Sequence, residues 1–261
     1  MIKQTPFHDR HIALGAKLHE FAGYMMPISY TGINQEHLQI RDKIGVFDVS
    51  HMGEFYVEGE HAEDFLQHIT INDVKQLVDG QAQYSAMCYP DGGIVDDLIV
   101  YRFNQHKYMM VVNASNIEKD YAWAGEHLVD GVTLSDHSDE TALLAIQGPK
   151  TLKVLQALTD VALKDIEFYH FATGKLAGKE MIISRTGYTG EPGFELYHDD
   201  TRVGKVTSGT MSPSLGIGIG TGYVQREFSK IGTEICLDVR GKRLKALIVK
   251  PPFVDSSPLE F

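Results

Sequence analysis

The chain has 261 residues, of which 43% are hydrophobic, and its formal net charge is -11 at pH 7. This length can bury more than one domain core, and the acidic balance argues against nucleic acid as a ligand, because phosphate binding needs clustered lysine and arginine. We expect a cytoplasmic protein, since the sequence has neither an apolar run of membrane-spanning length nor a signal peptide at its N-terminus. Cys88 and Cys236 lie in apolar runs, which favours buried free thiols over a disulfide.

The first part of the chain alternates between helical and extended patterns. Residues 34–43 predict a helix with Leu38 and Ile40 facing inward, and residues 60–69 predict a second helix from apolar residues at helical spacing. Between them His51 ends a short predicted strand. This histidine can be catalytic or can be a loop residue bound to a neighbouring carbonyl, and the sequence alone slightly favours the loop residue.

Three predicted strands form a meander in the middle of the chain. Residues 83–89 pair across an Asp-Gly-Gly turn with residues 94–103, and residues 107–113 return after a second turn. The central strand carries two adjacent carboxylates, Asp96 and Asp97. Side chains alternate along a strand, so Asp96 shares a face with Ile94, Leu98 and Val100, and Asp97 shares the other face with Val95, Ile99 and Tyr101. A carboxylate on an apolar face is costly unless it is paired, which makes this strand a candidate functional site and equally a site for structural acids.

The chain beyond the meander contains one more helical stretch and a glycine-rich loop. Ser115 and Glu118 are spaced as a capping box for a helix over 116–128. The loop over 185–196 holds three glycines and a proline, and it presents Tyr188 and Glu195.

The last part of the chain predicts a β domain, and two common kinds of functional motif are absent from the sequence. Residues 203–250 read as short strands, with a hairpin tip at 240–243, and predict a small all-β domain. The sequence has no phosphate-binding loop, and its twelve histidines are not spaced like metal ligands. These observations predict a ligand site with an acidic residue, of unspecified substrate.

The chain resembles the T-protein (aminomethyltransferase) family of the glycine cleavage system. The stretches that carry the resemblance run in family order along nearly the whole chain: 5–7 (TPF), 23–27 (GYMMP), 45–52 (GVFDVSHM), 92–98 (GGIVDDL), 113–115 (NAS), 146–149 (IQGP), 186–191 (TGYTGE) and 207–213 (TSGTMSP). Their order along one chain makes the match far more specific than any single motif.

The resemblance implies an α+β fold with three domains. Two α+β (ferredoxin-like) domains, built on antiparallel sheets, surround a central channel that binds tetrahydrofolate, and a small all-β barrel or jelly-roll-like domain follows. The implied boundaries are 1–50 together with 140–200 for a discontinuous domain, 51–139 for the domain with the meander, and 201–261 for the last domain.

The implied reaction moves the methylene of the aminomethyl group, carried by the lipoyl arm of the H-protein, to tetrahydrofolate, and ammonia leaves. The implied partners are therefore the H-protein and the folate, without nucleic acid, membrane or metal. By resemblance Asp96 is the catalytic acidic residue at the reactive nitrogens of the folate. Because strand alternation turns Asp97 to the other face, we predict that Asp96 faces the ligand and that Asp97 serves the structure. Tyr84, Tyr188 and Glu195 match positions of the pterin pocket, and Asn113 lies beside Asp96 and lines the site.

The sequence departs from the family pattern at one junction. The family carries an arginine-containing segment after the glycine-rich loop, whereas here Asp200 is followed at once by Thr201. We predict that the sequence skips a segment at this point, together with an arginine of the folate pocket. A second function class stays open, a non-catalytic folate-binding protein of the same fold (regulatory or iron–sulfur repair type), although the chain lacks the Lys-Gly-Cys-type loop of that class.

Overall fold

The chain forms two units in a computed structural model that describes residues 2–199, 203–212, 215–239 and 242–250. The units are Met1–Asp200 and Thr201–Phe261. In the described part of the first unit the helices are α1 His8–Ala13, α2 Ile33–Asp42, α3 Ala62–Ile69, α4 Ile117–Glu126 and α5 Thr151–Gln156. Its strands are β1 Lys17–Phe21, β2 Tyr24–Ser29, β3 Gly45–Asp48, β4 Gly53–Gly59, β5 Gln81–Cys88, β6 Ile94–Asn104, β7 Lys107–Val112, β8 Val132–Asp136, β9 Thr141–Gln147, β10 Phe171–Leu176, β11 Lys179–Ser184 and β12 Gly193–Asp199.

Two five-stranded sheets dominate the first unit. The first sheet has the strand order β5-β6-β7-β4-β8, and the second has the order β10-β11-β12-β9-β3. Every strand pairing in both sheets is antiparallel. The predicted mixed α+β class with antiparallel sheets is therefore confirmed.

The helices and sheets of the first unit stack in layers, and three clusters of apolar side chains lie between these layers. Phe65 of α3 and Ala124 of α4 pack on one face of the first sheet, beside Val100. The other face of that sheet meets the second sheet, where Tyr101 and Tyr197 belong to one cluster. The second sheet is covered on its far side by α5 and the neighbouring loop, in the cluster that contains Leu155, Leu163, Ile183 and Phe194.

Both helices predicted in the first part of the chain are present, but only one of them buries its predicted inward face. In α3 the residues Ala62, Phe65, Leu66 and Ile69 are all buried, as the spacing predicts. In α2 no residue is buried and the side chain of Leu38 is 65% exposed, so the predicted inward face is wrong there. The composition of α2 explains this: seven of its ten residues are polar, and its three apolar residues, Ile33, Leu38 and Ile40, form too narrow a stripe to hold a helix on a core.

The predicted meander is present as β5, β6 and β7, with a bulge that the alternation pattern misses. Met87 lies opposite Asp96, but the next residue, Cys88, lies opposite Ile94, so Val95 is an extra residue in β6. Val95 therefore turns toward the helix-covered face with Asp96, not toward the face of Asp97.

The second unit consists of strands and one short turn of 3-10 helix in its described residues. Strands β13 Gly204–Ser212 and β14 Ile217–Val224 form one antiparallel hairpin, and β15 Glu234–Val239 and β16 Lys242–Leu247 form another. The tip of the second hairpin at 240 and 241, and the predicted junction at 200 and 201, lie outside the described residues.

Two further expectations concern thiols and membranes. Both cysteines are free thiols, but Cys236 is exposed and Cys88 only half-buried, so the predicted burial is wrong. Across the part of the chain that the structure describes, none of the helices combines the length and the apolar character that crossing a membrane requires.

Candidate active site

An exposed carboxylate lies on the face of the first sheet that looks toward the second sheet. Asp97 is opposite Ala86 in the β5–β6 ladder, and Tyr84 is two residues along on the same face. The hydroxyl of Tyr84 donates to Asp97 Oδ2 at 2.8 Å, and Asn113 Nδ2 donates to Asp97 Oδ1 at 2.9 Å. Each carboxylate oxygen is thus held by a different side chain, which fixes the orientation of an acid that solvent can still reach.

The neighbouring carboxylate, Asp96, lies on the opposite face and is only 6% exposed. It accepts hydrogen bonds from the backbone N–H of Asn113 at 3.3 Å, from Asn113 Nδ2 at 3.1 Å and from Asn116 Nδ2 at 2.8 Å. Burial acts to raise the pKa of Asp96, but the hydrogen bonds from Asp120, Asn113 and Asn116 outweigh it and lower the pKa. This carboxylate serves as a charged acceptor inside the fold.

The burial of the two adjacent acids is the reverse of the expected one. The sequence predicts that Asp96 faces the ligand and Asp97 serves the structure, but helices α3 and α4 cover the face of β6 that carries Asp96, Leu98 and Val100, and Asp97 is the exposed acid. Which acid acts on a ligand stays a prediction. Strand alternation separates the two acids correctly. It does not say which face the helices cover, since both faces are apolar in sequence.

The start of α4 explains how Asp96 is held. The residue before the helix is Asn116, and no side-chain cap is formed among the described contacts, so the predicted capping box of Ser115 and Glu118 is wrong. The amide of Asn116 donates to Asp96 instead of capping the helix. The helix start thus supplies a donor to the sheet and ties α4 to β6.

A second carboxyl group, Glu195, lies on β12 of the second sheet. It accepts hydrogen bonds from the hydroxyl of Thr186 and, at 3.4 Å, from the hydroxyl of Tyr197. The Tyr197 hydroxyl also lies 3.0 Å from that of Tyr101, which crosses from the first sheet. Burial raises the pKa of Glu195, against the two hydrogen bonds that lower it. This carboxyl group is therefore a partly buried hydrogen-bonding group fixed by a polar cluster between the sheets.

The glycines beside Glu195 are required by close packing against Gln147. A Cβ at Gly187, where φ is +155°, would lie 2.2 Å from Gln147 Oε1, and a Cβ at Gly193 would lie 2.4 Å from Nε2. Gln147 Nε2 donates to the carbonyl of Thr186 at 3.2 Å, and Thr189 donates to Oε1 at 2.8 Å. Gln147 thus holds the loop in place through packing and hydrogen bonds, while the ring of Tyr188 in the same loop is fully exposed.

Tyr169 is a residue of this region that the sequence reasoning missed. Its φ of 60° is in the left-handed region, an outlier for a bulky residue, and strain of this kind clusters at functional sites. Burial raises the pKa of Tyr169, and the charge of Glu195 adds to the rise. The pKa of Tyr84 is raised mainly by its hydrogen bond to Asp97, with smaller effects of Tyr188 and Tyr169. The aromatic run at 168–171 was the available signal in the sequence.

The structure therefore joins the predicted site residues into two groups and sets one candidate aside. Tyr84 and Asn113 hold Asp97, and Asn113 also connects to Asp96 on the other face. Glu195 belongs to the polar cluster between the sheets, below the loop of Tyr188. His51 packs edge-on against the rings of Phe21 and Tyr24, and burial lowers its pKa, which favours the structural interpretation. In the described residues no group of three or more His, Cys, Asp or Glu side chains is arranged to hold a metal ion.

Comparisons with known proteins place this chain in a family. A profile described as the GCVT N-terminal domain matches residues 7–223. The chain is 43% identical over 359 aligned positions to an aminomethyltransferase of Bacteroides fragilis, covering 97% of this chain and 99% of that protein. It is 41% identical over 362 positions to an aminomethyltransferase of Porphyromonas gingivalis, with the same coverage of 97% and 99%. The chain therefore belongs to the GCVT family of aminomethyltransferases.

A solved structure shows the same fold. The crystal structure of the glycine cleavage system aminomethyltransferase T from Bartonella henselae matches with a TM-score of 0.71 and 24% identity, over 97% of this chain and 98% of that chain. The alignment to the Bacteroides fragilis protein has 359 positions, whereas this chain has 261 residues, so that relative contains residues without a counterpart here. That these residues fall at the junction of 200 and 201 stays a prediction.

Proposed function

We propose that this chain transfers the methylene of the aminomethyl group carried by the lipoylated H-protein to tetrahydrofolate. Two folate nitrogens bond to the methylene carbon, ammonia and the dihydrolipoyl thiol leave, and 5,10-methylenetetrahydrofolate forms. Family membership supports the reaction class. The observation that carries the assignment to particular residues is the exposed Asp97 carboxylate, with one oxygen held by Tyr84 and the other by Asn113. An acid held in one orientation at a solvent-accessible face is suited to act on a bound substrate.

Asp97 acts in this proposal as the acid at the reactive nitrogens of the folate. A carboxylate there orients the N–H group and accepts its proton as the nitrogen forms the new bond to the methylene carbon. Two hydrogen bonds to separate oxygens hold the carboxylate in place, so little reorganisation is needed when the substrate binds. Asp96, predicted as the catalytic residue, instead supports Asn113 from the buried side.

The side chains around Asp97 fit a flat, polar-edged ring system such as a pterin. Tyr84 is 53% exposed and Tyr188 fully exposed, so both present aromatic surface to an incoming ring. Glu195 supplies a carboxyl group that accepts hydrogen bonds from amino and ring N–H groups. Together with Asp97, these three side chains would hold the folate, and Asn113 lines the same site.

The finer architecture and the partner are also proposed. We propose the domain division 1–50 with 140–200, 51–139, and 201–261, around a central channel. The membership of the two sheets supports it: the strands of the first sheet all fall within 51–139, and those of the second within the other two ranges before residue 200. The two hairpins of the second unit are consistent with a barrel or jelly-roll-like module, and the H-protein is the proposed macromolecular partner.

The test is tetrahydrofolate-dependent release of ammonia from aminomethylated H-protein, with H-protein that lacks its lipoyl group as the control. We expect release that requires both the folate and the lipoyl arm. Calorimetry with tetrahydrofolate and with NAD tests the ligand separately. Folate binding without ammonia release would favour the non-catalytic folate-binding alternative, and binding of NAD alone would contradict the proposed ligand.

A further inference from the structure

A second buried acid lies beneath the proposed site and takes no part in the function described above. Asp120 is on α4, is fully buried, and neither of its carboxylate oxygens receives a hydrogen bond from a donor of the described residues. The ammonium of Lys119 lies 3.3 Å from Asp120 Oδ1, but it is already engaged as a donor to the carbonyl of Val95. A buried carboxyl group with this little support is costly in its charged form.

The group that Asp120 does contact is Asp96. Asp120 lies one helical turn beyond Asn116, whose amide donates to Asp96 at 2.8 Å, and Lys119 Nζ contacts both Asp120 and the carbonyl of Val95, the residue before Asp96. This geometry places the two carboxyl groups next to each other, one on α4 and one on β6. Both are next to the apolar cluster formed by residues such as Leu98 and Ile117. Two adjacent carboxylates repel each other in such surroundings, so the pair keeps one proton to a higher pH than either acid would alone.

The donors around the pair decide which acid keeps that proton. Asp96 accepts three hydrogen bonds from Asn113 and Asn116, which stabilise its charge, whereas Asp120 accepts none from these groups. Burial and the contact with Asp96 raise the pKa of Asp120 to about 7, although Lys119 acts in the opposite direction. Below neutral pH the protonated acid is therefore Asp120, and its O–H donates to Asp96.

We propose that Asp120 is a positioning residue, whose protonated carboxyl group holds Asp96 and, through Asn113, keeps Asp97 in place at the substrate face. The observed contacts run from the start of α4 to the substrate face: Asn116, one turn before Asp120, donates to Asp96, Asn113 Nδ2 bonds both Asp96 and Asp97, and Asp97 faces solvent. The protonated Asp120 adds its O–H to Asp96 in this arrangement. The inference rests on the proposed role of Asp97. When Asp120 loses its proton, two charges meet under the sheet and the support of Asn113 is disturbed.

The test compares Asp120→Asn, Asp120→Ala and the matched surface change Asp130→Asn across pH 5 to 8.5. An asparagine at 120 donates an N–H to Asp96 at every pH, as the protonated acid does, whereas alanine does not. We expect Asp120→Asn to be more thermally stable than the parent chain by an amount that grows as pH rises to about 7 and then levels off, because a raised pKa removes stability over that range. Asp130→Asn should follow the parent chain.

The pH dependence of kcat distinguishes a positioning role of Asp120 from a merely structural role, which would leave it unchanged. We expect kcat of Asp120→Asn to stay within about threefold of the parent chain near pH 6.5 and to lose the parent's decline above pH 7, while Asp120→Ala loses about 10–100-fold at every pH. A stability curve for Asp120→Asn that runs parallel to the parent curve, or an Asp120→Asn variant as impaired as Asp120→Ala, would overturn the proposal. If no form of the chain turns over, the proposed function fails, and the stability curves still decide whether the pair shares a proton.

Discussion

The site geometry predicts that Asp97→Asn and Asp96→Asn, the same change at adjacent positions, affect different properties: the first mainly lowers turnover, and the second mainly lowers stability. The exchange removes the charge and the proton acceptor while keeping the shape of the side chain. At 97, Tyr84 and Asn113 donate to two different oxygens, and an amide offers only one. One of the two supporting contacts is therefore lost together with the proton acceptor.

The expected loss in kcat for Asp97→Asn is about 10²–10⁴-fold, the usual contribution of a positioned acid or base. This corresponds to about 3–5 kcal/mol in the activation barrier. Thermal stability should hardly change, because Asp97 is exposed and water replaces the lost contact. For Asp96→Asn we expect a loss of about 1–3 kcal/mol in the free energy of unfolding, since a buried charged acceptor is removed. Its kcat should fall less than that of Asp97→Asn, by about 10–100-fold, because Asn113 loses one of the acceptors that hold it beside Asp97.

The assay is steady-state ammonia release with aminomethylated H-protein and tetrahydrofolate, together with thermal unfolding of both variants. Separate values of kcat and KM distinguish a chemical role from weaker folate binding. Near-normal turnover of Asp97→Asn beside an inactive, normally stable Asp96→Asn would refute the assignment of the two faces. It would return the catalytic role to Asp96.

Three further changes test the physical accounts of individual residues. Glu54→Gln should raise the melting temperature at pH 8 but not near pH 4.5. Burial and two neighbouring carboxylates raise the pKa of Glu54, whose oxygens have no hydrogen-bond partner among the described residues, and a raised pKa removes stability as pH rises. Equal melting curves of the variant and the parent chain at pH 8 would contradict this. His11→Ala should lower the free energy of unfolding by about 2–3 kcal/mol, measured by chemical denaturation, because the buried Asp48 carboxylate loses a hydrogen bond of 2.8 Å. Gly187→Ala should lower the free energy of unfolding by more than Gly190→Ala, for which we expect a loss of roughly 1 kcal/mol. Both glycines have positive φ, but only at Gly187 would the added Cβ lie within 3 Å of another atom. Equal losses for the two variants would show that packing against the loop is unimportant.

The elements of the fold that depend on short-range patterns followed from the sequence. The apolar spacing of α3 fixed both the helix and its buried face, and the turn and β-prone runs fixed the meander of β5, β6 and β7. Tyr84, Asn113 and Glu195 were also found in the sequence, through the family resemblance. These features are encoded within a few residues of each other or in motifs that occur in one order along the chain.

The tertiary structure decided the orientation of the site. Alternation along β6 shows that Asp96 and Asp97 lie on opposite faces, but which face is buried depends on where α3 and α4 pack, and those contacts are distant in sequence. The proposed pairing of Asp96 with Asp120, like the observed contact of Asp96 with Asn116, joins β6 to α4 across an intervening strand, so no local pattern contains it. A proton shared between two buried acids arises only when packing removes water from both, because in the unfolded chain each is solvated and titrates alone.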